Sequence, residues 1–152
     1  MNVSLRPVTR HNFAEIIALP LRPDQVDYLA SNAYSIAEAS FYPHYHTRAI
    51  YHGEDLVGFL MYVSLAEQGD PGEYAVYRFM VDHRQQGKGY GRRALELALD
   101  EIAAHGAVKC IWICYWPNNP AAKKFYASLG FVETELDEGG EMYAKIDYPP
   151  RH

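Results

Sequence analysis

Phe79-Met80-Val81-Asp82-His83-Arg84-Gln85-Gln86-Gly87-Lys88-Gly89-Tyr90-Gly91-Arg92-Arg93 joins an apolar run to a turn with three glycines and then to the start of an amphipathic segment. It reads as strand, turn and helix start. Glycines admit backbone conformations closed to other residues, so successive N–H groups can converge on phosphate oxygens, and the positive end of the helix dipole adds attraction. Arg84, Lys88, Arg92 and Arg93 crowd cations into a chain of net charge −5, a pattern suited to a phosphate-bearing ligand. A P-loop needs Gly-x4-Gly-Lys-Ser/Thr, but Asp82 holds the first glycine position and Gly89 follows Lys88,. A dinucleotide fingerprint needs Gly-x-Gly-x-x-Gly, and here Arg92 stands where Gly91 comes one residue too early,. A glycine turn that only joins strand to helix, with solvated basic residues, remains the alternative on this segment alone.

The regions on either side read as one domain. The chain has 152 residues, 49% hydrophobic and 22% charged, a globular balance with enough length to bury a core. No run approaches the roughly 20 apolar residues of a membrane span, and the N-terminus lacks a signal-peptide pattern. A cytoplasmic protein with no membrane partner is therefore expected. The acidic balance, with basic residues clustered at one turn, argues against nucleic acid and mildly favours a cationic ligand. Cys110 and Cys114 lie on one strand, about 13 Å apart, too far for a bridge; both are expected as buried thiols.

Val3 to Val8 predicts an edge strand, and Thr9 a cap for a helix with Phe13, Ile16, Ile17 and Leu19 on its apolar face,. A short helix is expected near Asp24, and another turn or two from Ile36 to Ser40. Thr47 to Tyr51 and Leu56 to Val63 flank Gly53-Glu54-Asp55 as a hairpin. Tyr74 to Val81 is the next strand, followed after the glycine turn by a helix carrying Ala94, Leu95, Leu97, Ala98, Ile102 and Ala103. Cys110 to Tyr115 predicts a buried strand. Asn119 then caps a helix with Pro120 at its first position, running to Leu129, and Phe131 to Leu136 pairs with Glu141 to Asp147 in a terminal hairpin.

The glycine turn resembles the cofactor motif of the GCN5-related N-acetyltransferase (GNAT) superfamily, Gln/Arg-x-x-Gly-x-Gly/Ala, through Arg84, Gly87 and Gly89. Asn119-Pro120-Ala121-Ala122-Lys123-Lys124-Phe125-Tyr126-Ala127-Ser128-Leu129-Gly130-Phe131 resembles that superfamily's Asn-x-x-Ala-x-x-Leu/Phe-Tyr-x-x-x-Gly-Phe signature. The resemblance implies an α/β (α+β) fold: a mixed, mostly antiparallel, splayed sheet of about seven strands flanked by about four helices. Residues 1–148 would form a single N-acetyltransferase domain, with 149–152 a frayed tail. It also implies acetyl-CoA as cofactor, its pantetheine arm entering between splayed strands Tyr74 to Val81 and Cys110 to Tyr115. By carry-over, the backbone of Gln86, Gly87, Lys88, Gly89, Tyr90, Gly91 and Arg92 would hold the pyrophosphate, next to Arg84 of the motif. Met80 and Val81 would meet the arm and the thioester carbonyl, with Asn119 and Ala122 on the other side. Lys123 and Lys124 either meet cofactor phosphates or form a solvated helix face.

Acyl transfer to an amine needs a neutral nucleophile, a polarised carbonyl and a proton for the departing thiolate. A free alkylammonium has a pKa of about 10.4, so its deprotonation must be assisted. The resemblance places Tyr126 as the acid; packing between helix and sheet is its alternative role. Glu38 and Glu73 are candidate bases, with surface solvation the alternative for each, and His44, His46 and His83 are weaker candidates. No metal site is expected, because His44-x-His46 lacks a ligand cluster of recognisable spacing. Tyr77 to Asp82 is similar to the corresponding run of small bacterial spermine/spermidine acetyltransferases. That implies a polyamine acceptor, for which Asp24, Asp27, Glu38, Glu67, Asp70 and Glu73 supply carboxylates; where such relatives carry an acid on the motif strand, this chain has Tyr77. An aminoglycoside, an amino acid or a protein amine is the rival acceptor, and a non-catalytic acyl-CoA sensor the rival class. Direct transfer in a ternary complex is expected, and the superfamily resemblance allows a homodimer.

Overall fold

The computed structural model describes residues 1–20 and 31–148; the helix expected near Asp24 and the tail from 149 lie outside the described residues. The strands are β1 (Val3–Pro7), β2 (Tyr45–His52), β3 (Asp55–Ser64), β4 (Glu73–Val81), β5 (Cys110–Tyr115), β6 (Val132–Leu136) and β7 (Met142–Asp147). All belong to a single sheet of order β1-β2-β3-β4-β5-β7-β6. Every neighbouring pair is antiparallel except β4 with β5. The helices of the described residues are α1 (Phe13–Ile17), α2 (Asn32–Ala39), α3 (Tyr90–Ala103) and α4 (Pro120–Ser128).

Alternation along β3 and β4 sends side chains to two cores, one on each face of the sheet. Leu60, Tyr62 and Val76 pack with Leu95, Ala98 and Ile102 of α3 and with Phe125 and Tyr126 of α4. On the other face Phe59, Met61 and Met80 pack with Ile16 of α1 and Ile36 of α2. Each fully buried large apolar side chain contributes about 1.5–3 kcal/mol of transfer free energy.

Glycine sets the closest backbone approach. A Cβ on Gly58 would lie 2.4 Å from the Met80 carbonyl oxygen, so β3 passes hard against the end of β4 only because no side chain intervenes.

Two local expectations change. The α1 cap is Asn12, because the Thr9 carbonyl accepts from Asn12 and Phe13 N–H while the Thr9 hydroxyl accepts from His11 N–H. The helix is correspondingly short: Ile16 is fully buried, whereas Phe13 and Ile17 are exposed. Strand β4 begins one residue early, at Glu73, which places a carboxylate on it.

Parallel pairing of β4 with β5 covers only Glu73, Tyr74 and Ala75 against Cys110, Ile111 and Trp112. Beyond that the strands part. On its other edge β4 stays with β3, but Met61 faces Arg78 and Tyr62 faces Val76, leaving Tyr77 as an extra residue in a bulge. A bulge bends and twists its strand, and this one lies where β4 departs from β5. Meanwhile β5 continues along β7 as far as Tyr115 opposite Met142. The sheet is thus open between the last residues of β4 and β5, and α3 and α4 start beside that opening.

Asp82 anchors the end of β4. It is 2% exposed, its N–H donates to the Val57 carbonyl at 2.7 Å, and its carboxylate accepts from Arg84 N–H at 2.9 Å and from Arg84 Nη2 at 2.7 Å. The Arg84 guanidinium holds the carboxyl below the ordinary aspartate value of 3.8. Asp82→Asn should cost about 1–2 kcal/mol at neutral pH, the low end for bonds to a charged group because Arg84 is largely exposed. A depressed carboxylate pKa stabilises fully above the ordinary value, and the contribution is lost as pH falls through the folded value. Thermal melts should therefore show a gap between wild type and variant of about 3–6 °C at pH 7 that closes on acidification below pH 3.8. A gap that ignores pH would refute the ion pair as its cause.

Candidate active site

The opening between β4 and β5 is a cleft of about 960 Å³. That is the upper end of the range for small-molecule sites, enough for an elongated ligand. Met80 and Val81 line it from β4, Gln86, Gly87, Gly89, Tyr90, Gly91 and Arg92 from the glycine turn and α3, and Asn119, Ala122 and Tyr126 from α4 and its cap.

At one end the backbone supplies donors. Gly87 and Gly89 adopt φ of +81° and +87°, the left-handed region that glycine enters without strain. Gly89 is the N-cap of α3 and has no side chain to satisfy the first turn. Among the described residues, none of the backbone N–H groups from Gln86 to Arg92 donates to a protein acceptor. These groups and the helix dipole form an anion cradle of the kind a pyrophosphate fits. Gly91 brings α3 down on β4: a Cβ there would lie 3.3 Å from Phe79 and from Val81.

Val81 offers its backbone to the opening. Its carbonyl accepts from Gln86 Nε2 at 3.0 Å while the next bond back to β3 is made by Asp82 N–H. In a strand the N–H and carbonyl of one residue point to the same edge, so Val81 N–H also faces the gap. It is available there to polarise a carbonyl oxygen.

Asn119 caps α4 as the sequence predicts, its Oδ1 accepting from Ala122 N–H at 3.2 Å with Pro120 in the first turn. The helix places Tyr126 in the cleft wall, its ring stacked on Tyr115 at 5.5 Å and edge-on to Phe131 at 5.9 Å. Burial, with Cys114 and Tyr115 nearby, pushes the hydroxyl above the ordinary tyrosine value of 10.0. Tyr126 is thus a protonated donor throughout the neutral range. Its hydroxyl makes no hydrogen bond among the described residues.

Several expected residues stand apart. Arg84 is outside the cleft wall, held by Asp82. Lys88 also lies outside, its Nζ donating to Gln85 at 2.9 Å. Lys123 pairs with Glu133 at 3.3 Å, while Arg92 lines the cleft but commits its guanidinium to Ser128 Oγ at 2.7 Å and so joins α3 to α4. Glu73 is at the far end of β4, where its carboxylate accepts from Trp112 Nε1 at 2.7 Å and from Cys110 Sγ at 3.2 Å. Those bonds hold it below the usual carboxylate range, a setting for a strut and not for a base. Glu38 has a buried Oε1 that lies 3.6 Å from Arg78 Nη2 but makes no hydrogen bond among the described residues, and it does not line the cleft.

Cys114 corrects the sequence reading. Cys110 is buried, but Cys114 is exposed and lines the cleft, because β5 has lost β4 at that level. The poorly solvated cleft wall around it, with Glu141 and Asp137 close by, pushes its thiol up to about 11. A protonated thiol is a poor nucleophile. The Cys110→Ala/Cys114→Ala variant should keep most of the wild-type kcat, measured as thiol release, and a loss of turnover with cofactor affinity intact would point to an acetyl-cysteine intermediate. The sequence reading also omits Glu141, which lines the cleft just before β7.

The comparisons agree with this geometry. A family model described as acetyltransferase (GNAT) family matches residues 13–131. The chain is 32% identical over 145 residues to the spermine/spermidine N(1)-acetyltransferase of Bacillus subtilis strain 168, covering 93% of this chain and 95% of the relative. Among solved structures, it is similar to aminoglycoside acetyltransferase AAC(6')-Ib in complex with coenzyme A, with TM-score 0.80 at 18% identity over 96% of this chain and 95% of the other. It is also similar to the PaiA N-acetyltransferase of Thermoplasma acidophilum in complex with coenzyme A, with TM-score 0.75 at 14% identity over 97% of this chain and 100% of the other. The last two likenesses bear on the fold. Sheet order, the donor-lined glycine turn, the capped helix carrying Tyr126 and the family match over residues 13–131 make this chain a member of the GNAT acetyltransferase family.

Proposed function

We propose that the protein moves the acetyl group of acetyl-CoA to a primary amine of a small cationic acceptor, a polyamine first among them, by direct transfer in a ternary complex. The observation that carries the cofactor assignment is the run of N–H groups from Gln86 to Arg92 without protein acceptors, at the mouth of the gap between β4 and β5. These groups would hold the pyrophosphate. Val81 and Met80 would line the pantetheine arm from β4, with Asn119 and Ala122 opposite. When bound, acetyl-CoA supplies a thioester whose acetyl carbon is open to attack by an amine.

The chain's own residues supply the rest. Val81 N–H polarises the thioester oxygen from the free edge of β4. Tyr126 gives its hydroxyl proton to the departing sulfur, for which its raised pKa keeps it charged with a proton at neutral pH,. Cys114 stays a thiol beside it, consistent with attack by the amine itself.

The polyamine acceptor is favoured by the 32% identity to the Bacillus subtilis spermine/spermidine enzyme over most of both chains and by the acidic net charge of −5. Arg78 favours a second reading. It acts electrostatically on both Cys114 and Glu141, and a cation there suits an acceptor that carries a carboxylate beside its amine, such as an amino acid or a peptide N-terminus. Thiol release from acetyl-CoA with spermidine, spermine, an aminoglycoside, free amino acids and a lysine peptide separates these, with coenzyme A binding followed by calorimetry. Preferential turnover of polyamines is the expected result; preference for an amino acid would select the Arg78 reading, and binding without any turnover would make the protein an acyl-CoA sensor.

A further inference from the structure

Glu141 is the only carboxylate in the wall of the cleft among the described residues. It immediately precedes Met142, which pairs with Tyr115 at the end of β5, so the fold brings it to the place where β4 and β5 have parted. Its backbone is pinned: Glu141 N–H donates to Asp137 Oδ1 at 2.8 Å, and its carbonyl accepts from Asp137 N–H at 2.8 Å. Its carboxylate, by contrast, makes no hydrogen bond among the described residues. A carboxylate without a hydrogen-bond partner among the described residues, on a fixed backbone in the wall of the cleft that Tyr126 also lines, is placed for a proton that arrives with a ligand.

We infer that Glu141 is the general base that takes the proton from the acceptor ammonium, because Glu38 and Glu73 do not line the cleft and Glu141 does. The inference rests on the transferase reading above. The ammonium loses one proton to Glu141 and becomes a neutral amine; its lone pair forms the C–N bond while the C–S bond breaks, and the sulfur takes the Tyr126 proton. The nitrogen's second surplus proton returns through solvent to Tyr126, and Glu141 releases its own to solvent, so one proton is liberated per acetyl group moved.

The surroundings tune Glu141 toward this role. Partial burial and the charge of Asp137 in the same turn raise its pKa above the ordinary 4.5, against the opposing pull of Arg78 on β4. Glu141 in turn raises the pKa of Cys114 on β5 and of Tyr143 on β7, and both hold their protons at neutral pH. A raised carboxylate pKa makes a stronger base, present in its useful form above that pKa and lost as pH falls through it.

Glu141→Gln keeps the side chain's size and removes the base. With an amine that the wild type acetylates, kcat at pH 7 should fall on the order of 10²-fold, while coenzyme A affinity by calorimetry stays at the wild-type value. The deficit should shrink as pH rises toward the amine's own pKa of about 10.4, where solvent supplies the neutral amine. Asp137→Asn should keep turnover and move the acid limb of kcat/KM to lower pH. Independently of turnover, protein labelled with 13C at the glutamate carboxyls and free of cofactor should show one resonance titrating above 4.5 that is missing from Glu141→Gln. Unchanged kcat in Glu141→Gln, or a raised acceptor KM with kcat intact, would overturn the assignment. A wild type that releases no thiol with any amine would overturn the transferase reading and this inference with it, whereas an active wild type beside an active variant overturns the inference alone.

Discussion

Tyr126→Phe should lower kcat by roughly 10²-fold or more while leaving the fold and coenzyme A affinity in place. The substitution removes a single oxygen from a ring that is held by Tyr115, Phe125 and Phe131, contacts that phenylalanine keeps. Because the hydroxyl makes no hydrogen bond among the described residues, its removal strips no structural bond, and the melting temperature should move by no more than a few degrees. A packing role and an acid role thus predict opposite outcomes. The raised pKa adds a second signature: phenol ionisation should not limit kcat until the pH exceeds the ordinary tyrosine value of 10.0, so a wild-type alkaline limb below that belongs to another group. Steady-state rates between pH 6 and 10 on both proteins test this. Wild-type kcat in Tyr126→Phe would take the residue out of the chemistry.

What the sequence reveals here and what it hides divide along the range of the interactions. Asn119 bonds Ala122 three residues on, and Gly87 and Gly89 turn a chain that enters its helix at once; these are local devices, written in adjacent letters. The central helix shows its buried face by spacing alone, with Leu95, Ala98 and Ile102 all in the core. Thr9 misleads at the same short range, because Thr9 and Asn12 are both capping residues and only the course of the chain out of β1 decides between them. Glu141 and Cys114 are hidden for a different reason. Their position in the site depends on β7 entering the sheet between β5 and β6, and on β5 losing β4 after Trp112.

The bulge at Tyr77 helps explain that separation, and it carries no glycine or proline to announce it. A strand of branched and aromatic residues looks equally suited to full pairing, so Cys114 reads as buried until the gap is seen. Glu73 shows the converse. Its place next to a strand makes it look available, but register sets it opposite Cys110, where Trp112 and the Cys110 thiol both donate to its Oε1. The carboxylate that lines the cleft among the described residues is instead Glu141, from the turn of the terminal hairpin.

The anion cradle admits the second large test. A Cβ on Gly87 would meet nothing within 4 Å, yet its φ is +81°. Gly87→Val therefore changes conformation without a clash, and a branched residue in the left-handed region costs on the order of 1–3 kcal/mol. The turn can relieve that strain by swinging out, which is inexpensive for the fold because the N–H groups it disperses have no protein acceptors. It is expensive for a pyrophosphate. Hydrogen bonds to a charged group contribute about 1.5–3 kcal/mol each, so misaligning two of them weakens binding by roughly 10²-fold or more. Calorimetry should give a coenzyme A Kd raised by about that factor, with the Tm lowered by only a few degrees. Gly106→Val is the matching control, since that glycine has φ of +84° and open space around it but closes the far end of α3; it should strain the chain similarly and leave the Kd alone. Equal losses of affinity in the two variants would mean that strain acts through global stability, and an unchanged Kd in Gly87→Val would remove the pyrophosphate from the glycine turn.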